Sequence, residues 1–365
     1  MKVYGVVAEF NPFHNGHKLF IDAVKQKYHP DVLIAVMSGN FVQRGDFAIL
    51  DKWQRAKLAI ELGVDLVLEL PMGYAVEPAD LFAQGAVKIL HLAGITNLVF
   101  GTEQSVDFDL LAEKMQASSG DFKQDYSQNF ATNLTAYYQS LGIDVQKLPN
   151  QLLGLNYVQT IKANNWPIAV ETVLRQKSDF SATKVRHNLA VGKNVASLVP
   201  ELTRQTLCQQ PLPTWDDFFP YLRYQIINSS IEELHDIYQM VEGLEFKLKK
   251  EIVNSGNFTQ FLEHVKSKRY TMARLRRLLI YVLLNVKSQE INNLYNDSYL
   301  RVLGFNKTGQ KYLNSLKKSA TPLITRIGKN ESKQLALEIR ADQIYQLVTG
   351  QEENFGRIPY MKGVN

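Results

Sequence analysis

The sequence predicts an α/β protein, a doubly wound parallel sheet followed by a mostly α-helical C-terminal domain. Three observations carry this expectation. Short apolar runs alternate with amphipathic stretches through the first half, the strand signal fades after about residue 190, and 365 residues suit two domains better than one.

The runs VYGVVAE (3–9), VLIAVMS (32–38), DLVLEL (65–70), NLVFG (97–101) and IAVETV (168–173) read as strands buried on both faces. Between them, Leu19, Phe20, Ala23 and Val24 recur at helical spacing after Gly16. Ala56, Leu58, Ala59 and Leu62 do so in a segment that starts at Asp51 and stops before Gly63. Residues 79–93 and roughly 105–140 read as further helices. Strands separated by helices imply right-handed crossovers, and such sheets bind ligands beyond the carboxyl ends of their strands. Beyond residue 190, segments 201–210, 215–229, 230–254, 257–265, 271–287, 308–318 and 331–349 have helical periodicity, and 350–365 look irregular. The expected division is a nucleotide-binding domain over 1–190 and a helical domain over 191–365.

Composition narrows the functional classes. Hydrophobic residues make up 45% and charged residues 21%, which is globular rather than disordered composition. No apolar run approaches the roughly 18 residues of a membrane span. The first residues read as a strand, without the features of a signal peptide. Cys208 is the one cysteine, which excludes an internal disulfide and any multi-cysteine metal site. A reducing cytoplasm is the expected compartment, with no membrane and no DNA as partner. The net charge of +5 divides into −2 over residues 1–190 and +7 over 191–365, so the second half is the half suited to a polyanion.

The stretch EFNPFHNGHK (9–18) is the most specific. A strand ends at Ala8 or Glu9, a Pro-containing turn follows, and a helix begins near Gly16. Unpaired N–H groups and the positive end of the helix dipole suit a phosphate there. His14 and His17 are three residues apart, so both imidazoles can face one anion, and Gly16 lets the backbone come close. A pair of metal ligands is the alternative, but no third or fourth ligand stands nearby.

His14-Asn15-Gly16-His17 resembles the HxGH signature of the nucleotidylyltransferase and class I tRNA-synthetase superfamily. That resemblance implies ATP over a Rossmann-like sheet, with the histidines stabilising the α-phosphate during adenylyl transfer. Ser181-Ala182-Thr183-Lys184-Val185-Arg186 is similar to the superfamily's S-T-x-x-R element. Ser181 or Thr183 would cap a helix there, and Arg186 would meet the β- and γ-phosphates.

A narrower resemblance runs along nearly the whole chain. GNFVQRGD (39–46), DKWQRA (51–56), DLVLELP (65–71), FGTE (100–103), Pro149-Asn150 with LLGLNY (152–157), and RVLGFNKTGQ (301–310) look like the tRNA(Met) cytidine acetate ligase family. The resemblance implies that acetate and ATP form acetyl-adenylate, and that the acetyl group passes to the wobble cytidine of elongator tRNA(Met). It also implies that ATP lies against Val7, Ala8, Glu9, Phe10, Asn11, Pro12, Phe13, His14, Asn15, Gly16, His17, Lys18, Leu19 and Phe20. Gly101, Asn150 and Arg175 are further nucleotide contacts, with Ser181 and Thr183 at the departing pyrophosphate. The connection from Arg175 to Ser181 is shorter than the family pattern implies. Mg²⁺ is expected on chemical grounds, although no carboxylate cluster for it is visible.

The basic half has one concentrated segment. KSKRYTMARLRR (266–277) holds Lys266, Lys268, Arg269, Arg274, Arg276 and Arg277 and no acid, and reads as an exposed stripe for RNA phosphates. Two other functions fit parts of the sequence. A nucleotidylyltransferase making a dinucleotide cofactor from ATP and a small phosphate ester would share the histidine chemistry but leave the basic half without a task. A non-catalytic RNA-binding protein would not need both histidines and Arg186.

Overall fold

The computed structural model describes residues 1–104, 106–117, 136–137, 139–140, 149–175, 180–209, 212–241, 243–351 and 356–363. Its strands are β1 (Val3–Ala8), β2 (Val32–Ser38), β3 (Phe41–Val42), β4 (Asp46–Phe47), β5 (Leu66–Leu70), β6 (Asn97–Thr102), β7 (Ala169–Leu174), β8 (Leu300–Asn306), β9 (Leu323–Ile324) and β10 (Tyr360–Lys362). One sheet has the order β10-β8-β5-β2-β1-β6-β7, with β9 beside β8, and β3–β4 form a separate hairpin.

All five strands expected from the sequence are present, and they pair in parallel across β5-β2-β1-β6-β7. Alternate residues feed opposite faces, which is why the runs are continuously apolar. Along β2, Val32, Ile34 and Val36 enter one core with the helix Ala79–Leu92. Leu33, Ala35 and Met37 enter the other with the helices Asn15–Tyr28 and Lys52–Glu61. Helices thus cover both faces, and the fold is a Rossmann-like α/β fold. The chain runs outward from β1 to β2 and β5, then crosses back to β6 and β7. The reversal of strand order therefore lies between β1 and β6, where this class of sheet opens a ligand crevice.

Asp51 caps the helix Lys52–Glu61 by accepting from the Gln54 N–H, 2.8 Å, and that helix ends before Gly63 at φ 126°. Of the expected helix over 105–140, Phe108–Ala117 is helical and residues beyond it lie mostly outside the described ones. The segment 230–254 is broken rather than continuous. Ile231–His235 and Leu244–Ile252 are separated by left-handed backbone at Gln239 (φ 65°) and Gly243 (φ 76°) and a bridge between Ile237 and Lys287.

The second half also returns to the sheet. β8 pairs antiparallel with β5, Leu66 opposite Phe305, and β10 pairs parallel with β8. Residues 350–365, expected to be irregular, thus include a short edge strand. The run LRVLGFN carries no polar alternation because all but its last residue are buried. A buried seven-residue run cannot be told from a helix segment by periodicity.

Candidate active site

His14 is the N-cap of the helix Asn15–Tyr28, and the two histidines of the turn cap each other. Nδ1 of His14 accepts from the His17 N–H at 3.3 Å, and Nδ1 of His17 accepts from the His14 N–H at 3.2 Å. Their rings stack with centroids 3.7 Å apart, flanked by Phe10 and Phe13. Burial, with Arg175 and Arg186 nearby, pushes the His14 pKa down to about 4. Burial, His14 and Arg175 hold that of His17 well below the usual imidazole value. Both rings are therefore neutral at neutral pH. With Nδ1 used as acceptor, each carries its proton on Nε2 as a donor. Two neutral N–H donors beside two guanidinium groups suit a phosphate oxygen that gains charge during reaction.

Gly16 is required by this pair, since a Cβ there would stand 2.9 Å from Cε1 of His14. The crevice itself lies at the β1/β6 reversal. It is lined by Val6, Val7, Ala8, Phe10, Gly16, His17 and Phe20 from the first strand and helix, and by Phe100, Gly101, Leu153, Tyr157 and Arg175 from the opposite wall. Asn11, Pro12, Phe13 and His14 are buried behind that lining. Lys18 pairs with Asp22 at 2.5 Å, and Leu19 is exposed. Asn15 faces away from the crevice, donating through its backbone to the Leu198 carbonyl and through its side chain to Ser197.

Gly101 lies near the end of β6, beside Arg175. A Cβ there would meet Cγ of Arg175 at 2.9 Å, so Gly101 first makes room for the arginine. Asn150 lies in the first turn of the helix Pro149–Ala163, with its side chain outside the described residues. Ser181, not Thr183, caps the helix Ala182–Ala190, accepting from the Lys184 N–H at 3.2 Å; both hydroxyl residues are exposed. Arg186 donates from Nη1 to the Asn11 carbonyl, 2.6 Å, which fixes it against the histidine turn.

Two residues that shape the crevice and its surroundings were not legible as such in the sequence. Arg55 is fully buried and donates to the carbonyls of Glu9 (2.7 Å), Ser38 (3.0 Å), Leu50 (2.9 Å) and Gly39, clamping the ends of β1 and β2 together. It sits on a buried helix side with Trp53, Ala56 and Ala59 and with Lys52 three residues before it, and a charged residue among these apolar ones was the available signal. Gly154 lets its helix press on Phe100, whose ring a Cβ would meet at 2.4 Å.

The basic segment differs from the exposed stripe expected. Lys266, Lys268 and Arg269 are exposed, but Arg274, Arg276 and Arg277 are half-buried. Arg274 lies over the Tyr270 ring at 4.5 Å. The helix Met272–Leu283 packs so closely on Gly45 that a Cβ there would stand 2.3 Å from the Arg277 nitrogen. Arg276 lies within electrostatic range of Asp46, and Arg277 within range of Glu77 and Asp80. The cause is burial against the first half of the chain, which helical spacing alone does not reveal.

The family model for HIGH nucleotidyl transferases matches residues 1–357. A tRNA(Met) cytidine acetate ligase of Lactobacillus helveticus is 40% identical over 98% of this chain and 99% of its own, and that of Lactobacillus gasseri is 39% identical over the same shares. Thermotoga maritima TmcAL in its apo form matches with a TM-score of 0.87 at 28% identity, covering 99% of this chain and 100% of that one. The same protein bound with alpha-thio ATP matches with a TM-score of 0.87 at 29% identity and the same coverage. A histidine turn at the strand reversal of a Rossmann-like sheet, and likeness along the whole length, place this chain in the tRNA(Met) cytidine acetate ligase family.

Proposed function

We propose that this protein activates acetate with ATP and transfers the acetyl group to the exocyclic amine of the wobble cytidine of elongator tRNA(Met), giving N4-acetylcytidine. The observation that carries the reading is the pair of neutral, mutually capping imidazoles at the β1/β6 reversal, in a chain with full-length relatives of that name. An acetate oxygen attacks the α-phosphorus and pyrophosphate leaves. The Nε2–H groups of His14 and His17 and the guanidinium of Arg175 offset the charge growing on the α-phosphate oxygens. Arg186, with the capped helix at Ser181 and Thr183, faces the departing pyrophosphate. The cytidine amine then attacks the mixed anhydride and AMP is released.

Among the described residues, no group of three or more His, Cys, Asp or Glu comes together to hold a metal. A Mg²⁺ ion bound to the ATP polyphosphate would offset part of the phosphate charge. The exposed cations Lys266, Lys268 and Arg269 are the RNA-facing part of the basic segment, with Arg274 at its inner edge. Mass analysis of tRNA(Met) incubated with the protein, ATP and isotopically labelled acetate tests the reading. A cytidine carrying the label supports it. Pyrophosphate release that depends on a small phosphate ester instead of acetate would favour dinucleotide synthesis.

A further inference from the structure

The motif GNFVQRGD, which the adenylation chemistry leaves unused, forms the β3–β4 hairpin, and its position is unusual. On one side it is stitched to the histidine turn. The Gln43 N–H donates to the Glu9 carboxylate at 2.8 Å. The Asn11 side chain donates to the Phe47 carbonyl at 3.4 Å and accepts from the Ile49 N–H at 2.9 Å. On the other side it lies on the helical half. Phe47 stacks on Phe218 with centroids 3.7 Å apart, and Gly45 is flush against the backbone of the basic helix. The hairpin thus bridges the histidine turn and the basic segment, the two parts of the chain that the proposed function gives to the nucleotide and to RNA.

Asp46 is the one acid on this hairpin. Its Oδ1 accepts from the Phe47 N–H at 3.0 Å, and its residue is half-buried rather than enclosed. Arg276 of the basic helix and Arg186 of the helix Ala182–Ala190 lie within electrostatic range of it, and Arg186 donates to the carbonyl of Asn11, whose side chain in turn bonds the Phe47 carbonyl next to Asp46. Burial raises its proton affinity despite the Phe47 N–H, Arg276 and Arg186. A second acid, Glu9, sits at the end of β1 on the nucleotide side of the hairpin, where Arg55, Arg186 and Arg44 favour its charged form. Its carboxylate accepts from the Gln43 N–H as that of Asp46 does from Phe47, but Asp46 is the acid on the side of the basic helix.

Chemistry supplies the need. A carboxylate is the side chain that accepts from the N4 amine of cytosine. That amine must lose a proton as it is acylated. We propose that Asp46 accepts a hydrogen bond from the exocyclic amine of the substrate cytidine and takes its proton during acetyl transfer. The N4 lone pair forms the C–N bond, the bond from the acetyl carbon to the AMP phosphate oxygen breaks, AMP leaves with that electron pair, and the N4 proton passes to the Asp46 carboxylate.

This inference rests on the acetyl-transfer reading, and the two fail separately. The protein is assayed for acetyl-adenylate formation by pyrophosphate release with acetate and ATP, for tRNA(Met) binding, and for single-turnover acetyl transfer. If the parent protein makes no acetyl-adenylate, the functional reading fails. If it does, Asp46→Asn should form adenylate and bind tRNA as the parent does, yet transfer acetyl about 100-fold more slowly or worse, the scale of a lost general base. The parent's transfer rate should rise with pH through the titration of Asp46, and the variant should lose that rise. Transfer at the parent rate, a loss explained by weaker tRNA binding, an equal fall in adenylate formation, or loss in Glu9→Gln instead would each overturn the assignment.

Discussion

Two imidazoles that spend Nδ1 on main-chain N–H groups have one useful proton each, and its place is set before any ligand arrives. His14→Ala or His17→Ala should therefore slow acetyl-adenylate formation by about 100-fold or more, the usual effect of losing a preorganised donor at a developing charge. ATP affinity should change much less, as Arg175 and the helix N-terminus remain. Equilibrium binding and single-turnover pyrophosphate release, measured on each variant, check both halves of the statement. The low pKa of His14, about 4, has a stability consequence as well. Between that value and its unfolded value of 6.5, the unfolded chain holds more protons than the folded one. The contribution of His14 to stability is thus full above pH 6.5 and lost as pH falls toward 4, a dependence that His14→Asn should lack in denaturation midpoints. The histidine turn was legible because its spacing and its position after a strand are sequence properties. Arg55 was not, because its role is set by four carbonyls that only the folded backbone assembles.

At the scale of elements, the basic helix shows what charge counting misses. A run of cations specifies a polar face only if nothing packs on it, and here the glycine at position 45 lets a helix press against the hairpin backbone. Lys266, Lys268 and Arg269 precede that close approach and stay exposed. Reversing those three charges should weaken tRNA binding and flatten the dependence of log affinity on log salt, by about one unit for each phosphate no longer neutralised, with adenylate formation unchanged. An unchanged slope would move the RNA surface elsewhere. Arg277→Glu should behave otherwise. It would set a carboxylate beside Glu77, which already accepts from Tyr281 (2.7 Å) and Gln239 (2.9 Å) and whose burial pushes its pKa up to about 7. We expect a loss of about 2 kcal/mol or more in unfolding free energy, read by chemical denaturation.

Across the whole molecule, the apolar alternation of the first half announced the parallel sheet, whereas the return of the chain to it was hidden. The ties that bring the last helix, Ala336–Thr349, onto the sheet are polar and distant in sequence. Lys52 Nζ bonds Glu69 at 2.7 Å and Asp342 at 2.6 Å, and the Tyr345 hydroxyl donates to the Ala48 carbonyl at 2.7 Å. Glu338 of the same helix is buried, and burial together with Glu69 pushes its pKa up to about 7. The folded chain therefore keeps a proton there that the unfolded chain has released, so this group's contribution fades as pH rises from 4.5 toward 7. Between about pH 5 and pH 8 the parent should lose more stability than Glu338→Gln does; parallel curves would refute the assignment. The antiparallel pairing of β8 with β5 has one more consequence. A fragment cut after residue 190 would leave Leu66–Leu70 as a bare edge, five apolar or acidic side chains that are all buried in the intact protein, with their outer N–H and C=O groups open to a second fragment. Such a fragment should elute from size-exclusion chromatography as self-associated species, and adding residues 297–363 in trans should return it to smaller ones.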